Sequence, residues 1–123
     1  MAYQSFEELE VWQLARKFAE NIYQALAERR DFGFKNQIIA AACSISNNIT
    51  EGSERIHRNE FVQVLGYAKG SAGETWNQLH LAADLGYIPS ARAEQLRADI
   101  RVIGGKLYTL IAASVHRNLP LYS

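Results

Sequence analysis

A chain of 123 residues with 13 basic and 13 acidic side chains has a formal net charge of zero. This length suits one domain, which can bury roughly two-thirds of its unfolded surface without disulfides or metals. The charge balance gives no global attraction to nucleic acid or membrane, so such binding must come from a local patch or from a patch repeated by oligomerisation. The single cysteine, Cys43, excludes an intramolecular disulfide and fits a reducing compartment.

The sequence predicts neither a signal peptide nor a membrane-spanning segment. The N-terminus has no cationic segment before an apolar run, and no stretch approaches about 18 uninterrupted apolar residues. We therefore expect a cytoplasmic protein without a membrane partner. Cys43 follows three alanines, which favours a small buried apolar residue over a nucleophile.

Apolar residues recur at helical spacing in four segments, bounded by residues that start or stop helices. These segments predict helices over about 6–30, 34–51, 59–85 and 90–116. Ser5 and Glu8 match a capping box at the start of the first helix. Gly52 and Gly86 are predicted caps of the second and third helices, and Pro89 suits the start of the fourth.

Each predicted helix carries one apolar stripe that should face a common core. From the first helix to the fourth, the stripes comprise Val11, Ala15, Phe18, Ile22 and Leu26; Phe34, Ile38, Ala41, Ile45 and Ile49; Phe61, Leu65, Ala68, Ala72, Leu79 and Ala83; and Leu96, Ile100, Ile103, Leu107, Leu110 and Ser114. Four such helices with three short loops predict an all-α fold, a single antiparallel up-down-up-down four-helix bundle over 1–123.

A second apolar stripe runs beside the main one on the first and fourth helices. It includes Trp12 and Tyr23 on the first helix and Tyr108, Ile111 and Val115 on the fourth. A bundle needs one apolar stripe per helix, so a second stripe must be covered by something. A wide core with half-exposed tyrosines is one explanation. We favour the other, a homo-oligomer interface.

Three glycines share one face of the third helix: Gly66, Gly70 and Gly73. Each costs up to about 1 kcal/mol relative to alanine inside a helix. We predict that close packing against the second helix compensates this cost. A ligand lying on the glycine face is the alternative.

Polar residues where the second helix meets the third exceed what an amphipathic helix needs. We predict a structural hydrogen-bonded cluster of Ser44, Asn48, Glu51, Ser71 and Glu74. A binding site is the alternative. Glu54 and His57 have Glu-x-x-His spacing, but a di-iron bundle needs two such motifs on long helices. We therefore predict no metal, no cofactor, no catalytic residue and no small-molecule substrate.

Two modest groups of basic residues are candidate nucleic-acid contacts. Arg55 and Arg58 fall in the connection after the second helix, and Arg97, Arg101 and Lys106 fall on the fourth helix. Each group is also explained by an ordinary solvated surface. Symmetric repetition in a ring would multiply a weak patch by avidity.

Several short motifs carry a family resemblance over about 110 residues. They are Gln37-Ile38, Ser44-Ile45, Asn48-Ile49, Glu51-Gly52, Glu60-Phe61, Ala68 to Ser71, Glu74 and Leu85 to Ile88. In order and spacing they resemble the bacterial four-helix-bundle proteins named after intervening sequences in large-subunit ribosomal RNA genes. The resemblance implies a homopentameric ring without established catalytic activity. It also implies a fold similar to that of the accessory variability determinant of diversity-generating retroelements, which works with a reverse transcriptase and nucleic acid.

The chain departs from the family pattern at a few positions. Ile39 and Ala40 stand where the family often has two basic residues, and Trp76 stands at a typically acidic position. The first change removes local positive charge and makes Ile39 a further candidate for the oligomer interface. The sequence thus predicts a non-catalytic, ring-forming scaffold or adaptor with an RNA-linked role. The alternative is an accessory protein that binds RNA or DNA directly, or acts with a nucleic-acid enzyme.

Overall fold

A computed structural model of the protein describes residues 6–55 and 57–116. Over these ranges the chain forms helices and no strand. In chain order the elements are a 3-10 helix at Phe6–Glu8, α1 at Glu10–Ala25, α2 at Phe32–Ser53, α3 at Arg58–Asp84 and α4 at Ser90–His116. The predicted all-α four-helix bundle is confirmed. No helix in the described ranges has the length and apolar character needed to cross a membrane.

Consecutive helices run in opposite directions, as the contacts between α2 and α3 illustrate. Ser44 near the middle of α2 hydrogen-bonds Ser71 of α3, whereas Gly52 near the end of α2 lies against Phe61 near the start of α3. Residue numbers therefore rise along α2 as they fall along α3. α1 packs against α4 as well as α2, which closes the bundle.

The predicted inward stripes meet in one core. Every member of the α1 stripe is buried, and the exceptions on the other helices are Phe34, Ala83 and Leu110, which are partly buried at the edge of the core. Ser114 is a fully buried polar residue, and its Oγ donates to the Leu110 carbonyl at 2.7 Å. This bond within the helix removes the cost of burying an unpaired hydroxyl.

α1 is shorter at both ends than the predicted range 6–30. It begins at Glu10, and its N-cap Leu9 makes no side-chain capping bond. Ser5 of the predicted capping box lies outside the described residues. At the other end, α1 ends at Ala25, and its C-cap Leu26 is the last residue of the α1 stripe in the core. The chain turns after Leu26. The apolar period identifies buried positions but not the point where the chain must turn back toward α2.

The predicted glycine cap of α3 is confirmed. Gly86 has a φ of 72°, in the left-handed region that favours glycine. The N–H of Tyr87 donates to the Ala82 carbonyl at 2.9 Å, and the N–H of Gly86 donates to the Ala83 carbonyl at 3.0 Å. This is the Schellman pattern, which satisfies carbonyls that the helix end leaves unpaired.

The predicted glycine cap of α2 is wrong. Gly52 lies inside α2, whose C-cap is Glu54 in the right-handed helical region. A Cβ on Gly52 would lie 3.3 Å from Phe61 Cδ1 and 3.5 Å from Val64 Cβ. Gly52 is therefore required by the close approach of α2 to α3, since any larger residue would press on a buried phenylalanine.

Candidate interaction surfaces

One side-chain hydrogen bond joins α2 to α3 near the middle of both helices, and bonds within each helix adjoin it. The hydroxyls of Ser44 and Ser71 bond to each other across the interface. Asn48 Nδ2 donates to the Ser44 carbonyl at 2.8 Å, and Thr75 Oγ1 donates to the Ser71 carbonyl at 2.8 Å. No histidine or carboxylate takes part in the described contacts of this cluster, so neither serine has a general base. The cluster joins two helices.

Two predicted members of this cluster lie elsewhere. Glu51 is exposed and forms a salt bridge of 2.5 Å with Arg55 one turn later. Glu74 is exposed on α3, and the fully buried Thr75 takes part in the cluster instead. The reason is solvation: burying a carboxylate is costly, whereas a threonine hydroxyl can be buried once it bonds to the backbone.

The basic residues at the junction of α2 and α3 lie beside carboxylates. Arg55 lies between Glu51, at 2.5 Å, and Glu60, at 3.8 Å. The hydrogen bond and the charge of Glu51 raise the pKa of Arg55 above its ordinary value. Arg58 begins α3 with a half-buried side chain whose Nε is inaccessible to solvent. The predicted patch at this junction is therefore largely neutralised.

The three basic residues predicted on α4 do not form one patch. Lys106 Nζ lies 2.5 Å from Glu10 Oε1 on α1. Arg101 contacts α3 instead, and its Cζ lies 4.3 Å from the centroid of the Trp76 ring. Arg97 is half-buried one turn before Arg101. The α4 cations thus divide between two sides of the helix.

The predicted close packing at Gly66, Gly70 and Gly73 is wrong within the chain. All three are exposed, and a Cβ added to any of them would meet no atom within 4 Å. The reason is helix phase, because the buried face of α3 carries Ala68 and Ala72 while the glycines lie toward solvent.

A groove of about 460 Å³ lies between α3 and α4; we call it the α3–α4 groove. Its lining includes Lys69, Gly73, Trp76, Arg101, Gly104 and Tyr108. Trp76 also meets His80 edge to face at 4.3 Å. Tyr108 is 63% exposed. The charged lining residues in the described part of the chain are both cations, so the groove is a basic concave surface.

The predicted oligomer interface divides into covered and exposed residues. Trp12, Ile39 and Ile111 are partly buried against the core of their own chain. The Trp12 Nε1 donates to Thr50 Oγ1 at 3.0 Å. These three residues therefore contribute to the bundle itself. By contrast, Tyr23, Tyr108 and Val115 are exposed.

A further apolar surface follows the line where α1 meets α4, and we call it the α1–α4 seam. Two grooves of about 670 and 250 Å³ adjoin there and share Val102 in their linings. Their apolar lining residues are Leu9, Val11, Leu14, Phe18, Val102, Ile103, Leu110 and Ala113. Val102 is 53% exposed and Leu14 is 36% exposed. Sequence reasoning missed this seam, because its residues come from opposite ends of the chain.

The described residues contain no group of three or more His, Cys, Asp or Glu that could hold a metal ion. Glu54 and His57, which have the spacing of a metal motif, are the exposed C-cap of α2 and N-cap of α3. Cys43 is half-buried and free, so it is less enclosed than its alanine-rich context predicts.

Comparison with known proteins identifies the family of the chain. The family model described as 23S rRNA-intervening sequence protein matches residues 7–109. The chain belongs to this family. A crystal structure of a protein of unknown function from Bacteroides thetaiotaomicron VPI-5482, of the S23 ribosomal protein family, is similar to this family member, with 30% identity and a TM-score of 0.77. The match covers 82% of this chain and 97% of that chain. A comparison with curated protein sequences finds no significant match.

One residue of the family resemblance, Tyr87, has a structural role in this 23S rRNA-intervening sequence protein that sequence reasoning missed. Its hydroxyl donates to Asp31 Oδ2 at 2.7 Å, and its ring meets Phe34 edge to face at 5.4 Å. Asp31 also accepts from the Phe34 N–H, which caps α2. The hydrogen bond from Tyr87, with that from Phe34, lowers the pKa of Asp31, and the same bond to Asp31 raises the pKa of Tyr87. The contact ties two distant loops.

The α3–α4 groove of this family member was not predicted as one site, although Arg101 was a predicted nucleic-acid contact and Tyr108 a predicted interface residue. Lys69 and Trp76 are seven residues apart on α3, and Arg101 and Tyr108 are seven apart on α4. Two turns separate each pair, so each pair shares a helix face. Only the antiparallel packing of α3 on α4 brings the two faces together.

Proposed function

We propose that this family member is a non-catalytic, self-associating bundle that serves as a scaffold or adaptor, with the α1–α4 seam as the surface that meets a second copy. The observation that carries the proposal is the run of apolar residues that line the two adjoining grooves of the seam, among which Val102 is 53% exposed and Leu14 is 36% exposed. Large contiguous apolar patches mark interaction sites, and the centre of an interface is depleted in charge. From Val102 to Val115, α4 carries a single charged residue, Lys106.

The charges at the seam favour a second copy of the chain over a strongly charged partner. Lys106 is paired with Glu10 across the seam, and Lys17 lies 3.5 Å from Glu20. Asp99 also lines the seam and accepts a hydrogen bond from Gln95 Nε2 at 3.0 Å. A surface whose cations are paired with carboxylates in this way does not attract a polyanion. A ring of five copies is the arrangement that the family resemblance implies, and it is part of the proposal.

The non-catalytic part of the proposal is supported by what the polar groups do. The serine and asparagine cluster joins α2 to α3. The displaced pKa values of Asp31, Arg55 and Tyr87 arise from contacts that tie helices and loops together. Each of these groups takes part in a contact of the fold. A cytoplasmic location and an RNA-linked role for the scaffold rest on the single cysteine and on the family.

The experiment is a measurement of mass in solution by size-exclusion chromatography with light scattering at micromolar concentration. Val102→Glu places an unpaired carboxylate in the middle of the seam, and we expect it to convert the oligomer to smaller species. Leu81→Glu is the matched control, because Leu81 is an exposed apolar residue of α3 outside the linings of the α1–α4 grooves. Circular dichroism should show unchanged helix content in both variants.

The wild-type protein should be larger than a monomer, and the Leu81→Glu variant should match it. A monomeric wild type would overturn the proposal. An oligomer that survives Val102→Glu but dissociates with Leu81→Glu would place the interface on α3 and would contradict the role of the seam.

A further inference from the structure

The α3–α4 groove adjoins the seam at Gly105, which lines both, but it has different chemistry. Its charged lining residues are Lys69 and Arg101, and no carboxylate is among the described residues that line it. Neither cation is held in a salt bridge among the described residues. In a chain of zero net charge, this groove is therefore a local site of positive potential.

The groove is open because glycines replace side chains along its floor. A Cβ added at Gly73, Gly104 or Gly105 would meet no atom within 4 Å. These positions lie inside helices, where each glycine costs up to about 1 kcal/mol relative to alanine. No contact among residues 6–55 and 57–116 offsets that cost. The resulting volume of about 460 Å³ is in the range of small-ligand pockets, which runs from about 300 Å³ to about 1,000 Å³.

Aromatic rings line the groove together with the two cations. The guanidinium of Arg101 lies over Trp76, with its Cζ 4.3 Å from the ring centroid, and such a stacked guanidinium keeps N–H donors for an anion. At the other end, the Tyr108 ring is 63% exposed and is available for stacking. Cations for phosphate and exposed rings for bases are the two components of sites that bind single-stranded nucleic acid.

We propose that the α3–α4 groove binds a nucleotide unit, with Lys69 and Arg101 contacting the phosphate and Tyr108 stacking on the base. The unit has two sources, a free mononucleotide or one residue of a single-stranded RNA. This inference goes beyond the scaffold function and uses a different face of α4. A helix of a second copy is a less suitable occupant, because it would have to place a carboxylate between two cations.

The first test compares two glycine variants of the same helix. Gly73→Leu fills the groove, whereas Gly70→Leu adds the same side chain one turn away, outside the lining. Both sites are open, so both variants should fold. We expect Gly73→Leu to weaken binding of a fluorescently labelled ten-nucleotide single-stranded RNA by at least about tenfold, and Gly70→Leu to leave it within about twofold, since one stacked base contributes about 1–3 kcal/mol.

The second test concerns charge. Lys69→Gln and Arg101→Gln should each weaken RNA binding and reduce the dependence of affinity on salt by about one phosphate contact, and Arg30→Gln, at an exposed cation outside the groove lining, should change neither. Competition with AMP distinguishes the sources. Displacement of the RNA by millimolar AMP indicates a site for a free nucleotide, and failure of AMP to displace bound RNA indicates a site for a strand.

The third test reports the place of binding. The Trp76 indole N–H resonance should shift when AMP or the RNA is added, whereas that of Trp12, which is hydrogen-bonded to Thr50, should not. The proposal is overturned if the wild type binds neither AMP at millimolar concentration nor the RNA at about 100 micromolar. It is also overturned if Gly73→Leu and Gly70→Leu bind the RNA equally well. A Gly73→Leu variant that changes the mass in solution but leaves RNA binding intact would overturn it as well.

Discussion

At the scale of single residues, three glycines show how one residue type serves different physical needs. Gly86 is needed for its backbone, since its φ is 72°. Gly52 is needed for its size, since a Cβ would lie 3.3 Å from the Phe61 ring. Gly70 meets neither need, because it is exposed and open around its missing Cβ. Substitutions should therefore separate these roles.

We expect Gly52→Val to lower the free energy of unfolding by about 1–3 kcal/mol, because the added carbons must displace the buried Phe61 or push α2 away from α3. Gly70→Ala should raise it by up to about 1 kcal/mol through helix propensity alone. Urea unfolding followed by circular dichroism measures both. Equal effects of the two substitutions would contradict the close approach at Gly52.

At the scale of elements, a side-chain hydrogen bond joins two loops at one end of the bundle, the loop between α1 and α2 and the loop between α3 and α4. Tyr87 follows the cap of α3, and Asp31 is the N-cap of α2. Their hydrogen bond of 2.7 Å joins residues 56 positions apart, and Arg29 lies 5.6 Å from the Tyr87 ring. Because both partners titrate, the contribution of this contact should depend on pH.

Removal of the Tyr87 hydroxyl in Tyr87→Phe should raise the pKa of Asp31 toward its ordinary value of 3.8. Because the folded pKa of Asp31 is lowered, its contribution to stability is present above the unfolded pKa and is lost as pH falls through the folded pKa. The folded pKa of Tyr87 is raised above 10.0, so its contribution is present below that pH and is lost at more alkaline pH.

The stability advantage of the wild type over Tyr87→Phe should therefore be largest between about pH 5 and about pH 9 and should shrink on both sides. Urea unfolding across pH and an NMR titration of the Asp31 carboxyl measure it. Tyr23→Phe is the control, since Tyr23 is an exposed tyrosine of α1. An advantage that stays constant from about pH 2 to about pH 7 would show that Asp31 does not accept this hydrogen bond.

At the scale of the whole molecule, α4 separates two surfaces of different character. The α1–α4 seam is apolar with paired charges, and the α3–α4 groove carries two cations beside aromatic rings. Lys106 and Arg101, five residues apart on α4, belong to different surfaces. A bundle can thus present one face to its own copies and another to a ligand.

Gly105 lines both surfaces, but Val102 lines only the seam and Gly73 lines only the groove, so substitutions at these two positions should act independently. We expect Val102→Glu to lower the mass in solution and to leave the AMP-induced shift of the Trp76 indole N–H resonance unchanged. We expect Gly73→Leu to abolish that shift while the mass is retained. A double variant should show both effects, as is usual for distant sites. Loss of both properties in either single variant would show that the two surfaces are one.

The sequence by itself determined the elements and the core of this protein. Four apolar periods gave the helices, the all-α bundle and nearly every buried position, because burial repeats with the turn of a helix. It also placed the cap at Gly86, since glycine tolerates a positive φ. The order and spacing of short motifs also indicated the family, and the family match over residues 7–109 confirms that membership.

Only the tertiary structure decided which residues face one another across helices. It showed that Gly52 is a packing residue and not a cap, and that Gly66, Gly70 and Gly73 lie toward solvent. It also showed that Lys106 contacts α1 whereas Arg101 contacts α3. The seam and the groove are made by pairs of helices, so no local period records them. The physical reason is that a periodic pattern fixes the face of one helix, whereas a surface between two helices depends on their register and on the closure of the bundle.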